Sequence, residues 1–375
     1  MMQIAATLHA IAWGMYYAFT RIYVVKDLGG GVKALTLLTG LEWFAALLAI
    51  PAGYLADRYG GKWPLYIGAL GAIPFLVAPL VVEPTILSLI LSASSLAWAV
   101  AWPTVLSHVL RGENVGVRYS KFGLGIGLGW GLGSTASGFI YERLGVTGAF
   151  TLIAALYLMA YMAFINRVAG VQNFARVTKE DLSEMMKALK LFVSAIAIST
   201  FAREYIFIYL TAKLNQAVSS INFPGLSTHE AFGIIYGVAS SMLAIPVRLL
   251  AGRLVSKVNP LNLLAVMNLV YIAYASTFYF SNDLLIVVLW QIPLYPLVDV
   301  AMYTSAALYS PGKLRSSASG AVITFSSIGA AFITLLYPLL SQLCFLTALS
   351  ISSIALMTSS ALMMAFKNFI QCSKN

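Results

Sequence analysis

Charge is what this chain has least of. Only 10% of its 375 residues are Asp, Glu, Lys or Arg, too few to cover a soluble protein of this size. Its two cysteines, Cys344 and Cys372, build no disulfide framework and are expected toward opposite sides of the membrane. No group of His, Cys and carboxylates has metal-ligand spacing, so no metal is expected. No Walker-type phosphate loop occurs, which argues against ATP-driven pumping by this chain alone, and no cofactor is implied. The N-terminus lacks a basic n-region, so no cleavable signal peptide is expected. Lys and Arg outnumber Asp and Glu by 23 to 13, but they sit at the ends of apolar segments. They form no stripe interleaved with aromatics, and nucleic acid is excluded as a partner. No polar catalytic cluster is visible, so the chain is not expected to be an enzyme.

What fills the chain instead is apolar sequence. Apolar residues make up 60% of it, and the mean hydropathy is +0.86. One bilayer crossing takes about 20 apolar residues. Stretches of that length cover roughly 3–25, 34–56, 63–82, 85–109, 119–140 and 146–166. After a polar interval come roughly 189–211, 229–250, 261–280, 284–309, 315–337 and 343–366. The expectation is an all-α membrane protein of twelve transmembrane helices. Placing both termini in the cytoplasm puts seventeen basic residues inside, Arg248 among them, against Lys26, Lys33, Arg143 and Lys213 outside. The expected location is the plasma membrane, multi-pass, with both termini cytoplasmic.

The chain is expected to divide into a six-helix half at 1–166, a cytoplasmic linker at 167–188 and a second half at 189–375. Within the linker, Thr178-Lys-Glu-Asp-Leu-Ser-Glu reads as the start of an amphipathic surface helix, with Thr178 as cap and Asp181 closing a capping box. The halves repeat one another. Gly53-Tyr-Leu-Ala-Asp-Arg-Tyr-Gly-Gly-Lys62 follows span two, and Gly252-Arg-Leu-Val-Ser-Lys257 follows span eight at an offset of 199. Arg118-Tyr-Ser-Lys-Phe-Gly123 heads span five, and Arg315-Ser-Ser-Ala-Ser-Gly320 heads span eleven at an offset of 197.

The first of these loops resembles the signature between helices two and three of the major facilitator superfamily of secondary transporters. The resemblance extends to the twelve spans, the two halves and the degenerate second loop. It implies two pseudo-symmetric six-helix bundles around a midplane site, alternating access and a monomer in the bilayer. It further implies a conformational latch made of Gly53, Asp57, Arg58, Gly60 and Lys62, with Asp57 near the start of helix eleven. Seven glycines between Gly123 and Gly138 run through span five and read as packing positions. Gly129 and Gly133 fit the exporter-type motif of the family, whereas Ser134 and Ser137 depart from it. Span four also lacks a membrane arginine, so the proton-antiporter subgroup is not favoured.

Arg21, Glu42, Arg203, Glu204 and Asp299 fall within spans, where each is costly unless partnered or facing a cavity. By the resemblance, helices one, four, seven and ten line the cavity, and three of those four carry these charges. Arg21 with Glu42 and Arg203 with Asp299 are the expected pairs. Glu204 and Asp299 are the candidates for carrying a proton. Tyr17, Trp102 and Tyr295 are candidate substrate contacts among many aromatics that include Trp13 and Tyr303. Pro293 and Pro296 should interrupt span ten before Asp299, and Pro103 should do the same after Trp102. The expected function is transport of a small organic solute with proton coupling. Efflux of amphipathic cations is an alternative, and a receptor or lipid-handling protein on a transporter-like body is another.

Overall fold

Helix breakers decide where this chain turns. A computed structural model describes residues 2–168, 177–221, 223–226, 228–340 and 343–372. The described residues are helical, with no strand among them. In chain order, α1 is Met2–Ile22, α2 Gly31–Ala46, α3 Ala49–Tyr59, α4 Trp63–Leu70, α5 Ile73–Val77, α6 Pro84–Val109 and α7 Val115–Arg167. Then come α8 Lys179–Ser220, α9 Thr228–Gly233, α10 Ser240–Lys257, α11 Pro260–Phe280 and α12 Asp283–Trp290. The last are α13 Tyr295–Tyr309, α14 Arg315–Leu335, α15 Tyr337–Leu340 and α16 Phe345–Cys372. Residues 169–176 of the expected linker and Lys374 lie outside the described residues, as does the side chain of His229.

Nine helices among the described residues are long and apolar enough to cross a membrane. One of them, α7, is 53 residues long and turns at Gly145, whose φ of 65° and ψ of −172° are open to glycine but not to a helix. Both arms of α7 pack on α1. Gly125 meets Gln3 and Thr7, while Tyr157 and Tyr161 meet His9, so the arms run antiparallel. With α7 crossing twice, α1 and the α9–α10 segment bring the set into line with the twelve expected spans. The halves of the chain meet along two seams, α2–α3 against α14 and α7 against α10.

Two boundaries differ from the sequence expectation. The surface helix and span seven are one helix: α8 runs unbroken for 42 residues because neither Gly nor Pro occurs between Lys179 and Ser220. At 1.5 Å per residue it is about 63 Å long, twice a hydrocarbon core of about 30 Å, so its first turns must stand outside. The expected capping box is formed: the Asp181 N–H donates to Thr178 Oγ1 (3.2 Å), and the Thr178 N–H donates to Asp181 Oδ2 (2.9 Å). Span eight extends to Lys257 through a π-helical turn at Ile234–Ala239. Span ten is split, as its prolines predict, between Trp290 and Tyr295. Pro103, by contrast, sits within a continuous α6.

Span five carries its glycines on two opposite faces, because residues two apart in a helix point about 200° apart. Gly125, Gly129 and Gly133 lie against the backbone of α1. Gly116, Gly123, Gly127 and Gly131 face α10, opposite Val255, Arg248 and Ser241. A methyl group on Gly129 would collide with the Thr7 carbonyl, whereas one on Gly127 would lie 3.5 Å from Arg248 Nε, an ordinary contact.

Two predictions follow from this packing. Gly129→Ala should destabilise the solubilised protein by about 1–3 kcal/mol in thermal melts, as overpacking does. Gly127→Ala, two residues away, should leave the melt unchanged; equal effects would contradict the two-face arrangement. The start of α8 is tied down by Lys313 Nζ to Asp181 Oδ1 at 2.7 Å, and that ammonium holds the Asp181 carboxyl below the usual carboxylate range. A lowered native pKa gives stability above the unfolded value that is lost as pH falls through the native one. Asp181→Asn should therefore lower the melting temperature by a constant amount from about pH 8 to pH 5, and the gap should close below about pH 4. A gap that widens in acid would rule the pair out as its source.

Candidate functional site

The signature loop is held by its carboxylate. Asp57 lies in the last turn of α3, which ends at Gly60 in a left-handed conformation (φ 62°). Asp57 Oδ1 accepts from the Ser316 N–H (3.2 Å), and Oδ2 accepts from the Ser317 N–H (2.7 Å) and its hydroxyl (2.6 Å). These are first-turn donors of α14, which have no partner within the helix, and the positive end of the helix dipole favours the anion. Gly53 makes the approach possible, since a Cβ there would strike the Ser316 carbonyl. Arg58 turns away to Tyr54 (2.9 Å), and Lys62 Nζ donates to the Ile165 carbonyl at the end of α7 (2.6 Å).

The repeat places a matching seam on the other side. Gly252 packs on Ser120 in the second turn of α7, as Gly53 packs on Ser316 in the first turn of α14. Gly320 of α14 packs on Ala49 of α3. Its counterpart at offset 197 is Gly123, which packs on Arg248. The offset of 199 carries Ala49 onto Arg248 and Asp57 onto Ser256. One seam therefore has a methyl and a carboxylate where the other has a guanidinium and a hydroxyl.

Among the membrane charges, Arg21 and Glu42 form the pair the sequence suggested. The guanidinium grips the carboxylate through both nitrogens, at 2.6 and 3.1 Å. The Tyr16 hydroxyl donates to the same carboxylate, and Tyr17 lies under the guanidinium at 3.8 Å. Glu42 is 4% exposed. Both charges here are answered by each other.

The second expected pair is not formed. Arg203 bonds its own helix, at Ser199 O (3.2 Å) and Thr200 Oγ1 (3.5 Å), and stands 5.7 Å from the Tyr271 ring. Asp299 instead faces Arg248, with Nη2 to Oδ2 at 3.6 Å, and Arg203 stays within electrostatic reach. Arg248 was expected at the cytoplasmic end of span eight. It lies nine residues inside α10, about 14 Å from its end, and is 2% exposed. The repeat held the signal, since Ala49 is inside span two. Arg203 and Glu204 point to different neighbours, as successive helical residues must. Glu204 lies within reach of Tyr17 and Tyr236, with no hydrogen bond to it among the described residues.

The pair at Arg248 is loose. A distance of 3.6 Å is beyond hydrogen bonding. Nε and Nη1 of Arg248 are buried with no partner among the described residues. Each unmade bond costs about 1–3 kcal/mol. The Tyr295 ring lies 5.1 Å from the guanidinium carbon. Asp299, although about 15 Å from the end of α13, keeps 34% of its side chain exposed. Tyr119 and Tyr303, 5.0 Å apart, are on its other side.

Trp102 does not join these charges. It is 7% exposed and stacks on His9 at 4.6 Å among Trp98, Phe122 and Phe164. Trp13 Nε1 donates to His9 Nε2 (3.0 Å), which fixes a neutral imidazole as a packing group. No cluster of His, Cys, Asp and Glu that could hold a metal occurs among the described residues.

A family model described as Major Facilitator Superfamily matches residues 2–334. No curated protein matches the sequence. Among solved structures, the E. coli fucose:proton symporter FucP is similar with a TM-score of 0.70 at 15% identity, covering 97% of each chain. The nucleoside transporter NupG is similar at 0.67 and 15%, covering 98% of each. The human organic anion transporter MFSD10 is similar at 0.66 and 13%, covering 97% of this chain and 96% of that one. These identities carry the fold. With the signature loop seated on helix eleven and the family model spanning most of the sequence, the chain is a non-enzymatic, multi-pass transporter belonging to the Major Facilitator Superfamily.

Proposed function

We propose that the protein carries a small organic solute across the plasma membrane by alternating access of two six-helix halves, coupled to protons, with both termini cytoplasmic. The observation that carries this reading is Asp299. It is a carboxylate halfway through the bundle, partly exposed and flanked by two arginines without being locked to either. A group so placed can exchange a proton as its surroundings open and close. Glu204, to which no hydrogen bond is made among the described residues, is the second candidate. Arg21 and Glu42 belong to the frame instead, because their bonds are complete. Tyr17 and Tyr295, each beneath an arginine, are the aromatic contacts this reading keeps. Three similar folds are named for a sugar, nucleosides and organic anions, so the fold alone does not select the solute.

The Asp57 seam supplies the latch of this cycle. Parting it breaks three charge-assisted hydrogen bonds, and remaking it restores them. Asp57→Asn should slow turnover in reconstituted vesicles about tenfold or more, with expression intact; unchanged rates would remove the latch role. Asp299→Asn should abolish accumulation driven by a pH gradient while counterflow survives, and Glu204→Gln should do so if it shares the proton. Full accumulation in both variants would end the proton-coupling proposal.

A further inference from the structure

The internal repeat makes Arg248 an oddity. At the corresponding place in the other seam stands Ala49, fully buried, whose backbone carbonyl meets Gly320 with no side chain beyond a methyl. Packing therefore asks for nothing larger than Ala at this position. The chain carries an arginine there instead, 2% exposed and nine residues inside its helix, and leaves two of its nitrogens unanswered among the described residues. Its nearest acid stays at 3.6 Å although a bidentate grip is available elsewhere in this same chain, between Arg21 and Glu42.

The space beside Arg248 is shaped as well. A Cβ built on Gly127 would lie 3.5 Å from Arg248 Nε and 3.8 Å from Tyr295 Oη. The two polar atoms thus border one glycine-sized notch, the first a donor without a partner and the second a hydroxyl able to donate. Gly123 lies against Nη1 and Gly127 against Nε, so both unanswered nitrogens, on different edges of the guanidinium, are laid against the glycine face of α7. That face belongs to the seam between the halves. Whatever parts α7 from α10 uncovers Nε beside the Tyr295 hydroxyl, two donors bordering one notch that can share an oxyanion.

We propose that Arg248 is the recognition residue for a carboxylate on the transported solute, with Tyr295 and the Gly127 notch completing the subsite. This rests on the transporter reading and adds the chemical class of the solute. Asp299 then sets the charge balance: with the acid ionised, Arg248 has a competing anion nearby, and with it protonated the full positive charge is offered to the solute. Arg203 and the phenols of Tyr119, Tyr271 and Tyr303 are the other polar groups in that neighbourhood.

The test uses the full chain in detergent and in vesicles, with three acids and their amides: benzoate and benzamide, nicotinate and nicotinamide, lactate and lactamide. Tetraphenylphosphonium serves as the cationic control. At least one acid should raise the melting temperature and be exchanged in counterflow, and its amide should do neither. Arg248→Gln should weaken that acid about 10- to 100-fold, as loss of a charge-assisted donor does, and Arg248→Lys should recover only part of it. Gly127→Ala, which retains the charge, should weaken the acid about tenfold by filling the notch. Its unliganded melt should stay that of the wild type, a pattern that a purely structural arginine does not give. Binding of none of the acids, equal binding of acids and amides, or an acid affinity kept within about twofold by Arg248→Gln would each overturn the assignment. The transporter reading would survive any of these provided tetraphenylphosphonium or an amide exchanges, and would fall with them only if no solute gradient drives any exchange.

Discussion

Everything in this molecule depends on how closely backbones can approach across two seams inside a membrane. Lipid supplies no hydrophobic force between helices, so contact must come from packing and hydrogen bonds at short range. Gly53 on Ser316, Gly320 on Ala49, Gly252 on Ser120 and Gly131 on Ser241 provide that range. A seam made of glycine against small polar residues is also one that can part: it contains few interlocked side chains to pull free. Affinity between the halves is then set by a few polar contacts. Thr324 adds two of these, accepting from the Ile50 N–H (3.1 Å) and donating to the Leu47 carbonyl (3.2 Å).

Set on that frame, the buried charges divide by how completely they are answered. Arg21 and Glu42 are saturated by each other, by Tyr16 and by the Tyr17 ring, and such a pair fixes α1 to α2. Removing one partner from a pair of this kind strands a charge at a cost of about 3–5 kcal/mol. Arg248 and Asp299 are not saturated. A low-dielectric interior makes their mutual attraction strong, yet the geometry stops short of a hydrogen bond. Natural proteins rarely tolerate that arrangement without use for it.

Much of this was legible in the sequence. The glycines of span five, the capping box at Thr178, the break at Pro293 and the Arg21–Glu42 pair follow from spacing and composition. The place of Asp57 came from a resemblance, and the donors that hold it came from the structure. Arg248 was misplaced because hydropathy averages over a window. Arg248, Arg253 and Lys257 together lower the score, so the charges themselves pulled the apparent end of span eight inward. The repeat offset, which depends on identity and not on hydropathy, puts Arg248 opposite Ala49 and hence inside. Trp102 shows another limit. Span four was correct, but which face of α6 carries Trp102 depends on the rotation of the helix, and neighbours fix that rotation.

The two seams are copies that have diverged in charge. At the Asp57 seam the anion meets unpaired N–H groups of a helix start, a local and complete match. At the Arg248 seam the corresponding residue is Ser256, whose hydroxyl donates to Arg253 O of its own helix (2.7 Å), and the bond across is the Ser120 hydroxyl donating to the Arg248 carbonyl. The lock is thus one-sided. Three hydrogen bonds to Asp57, each worth about 1.5–3 kcal/mol net of the water they replace, favour the closed seam by several kcal/mol. That is enough to bias two states by about a hundredfold or more and small enough for a solute or a proton to reverse. Had both seams carried an aspartate, the bias would double and the bound solute would have to supply more than a small molecule offers. In the proposed cycle one seam holds and the other keeps an unanswered charge for the solute, a division of labour that suits a two-state carrier.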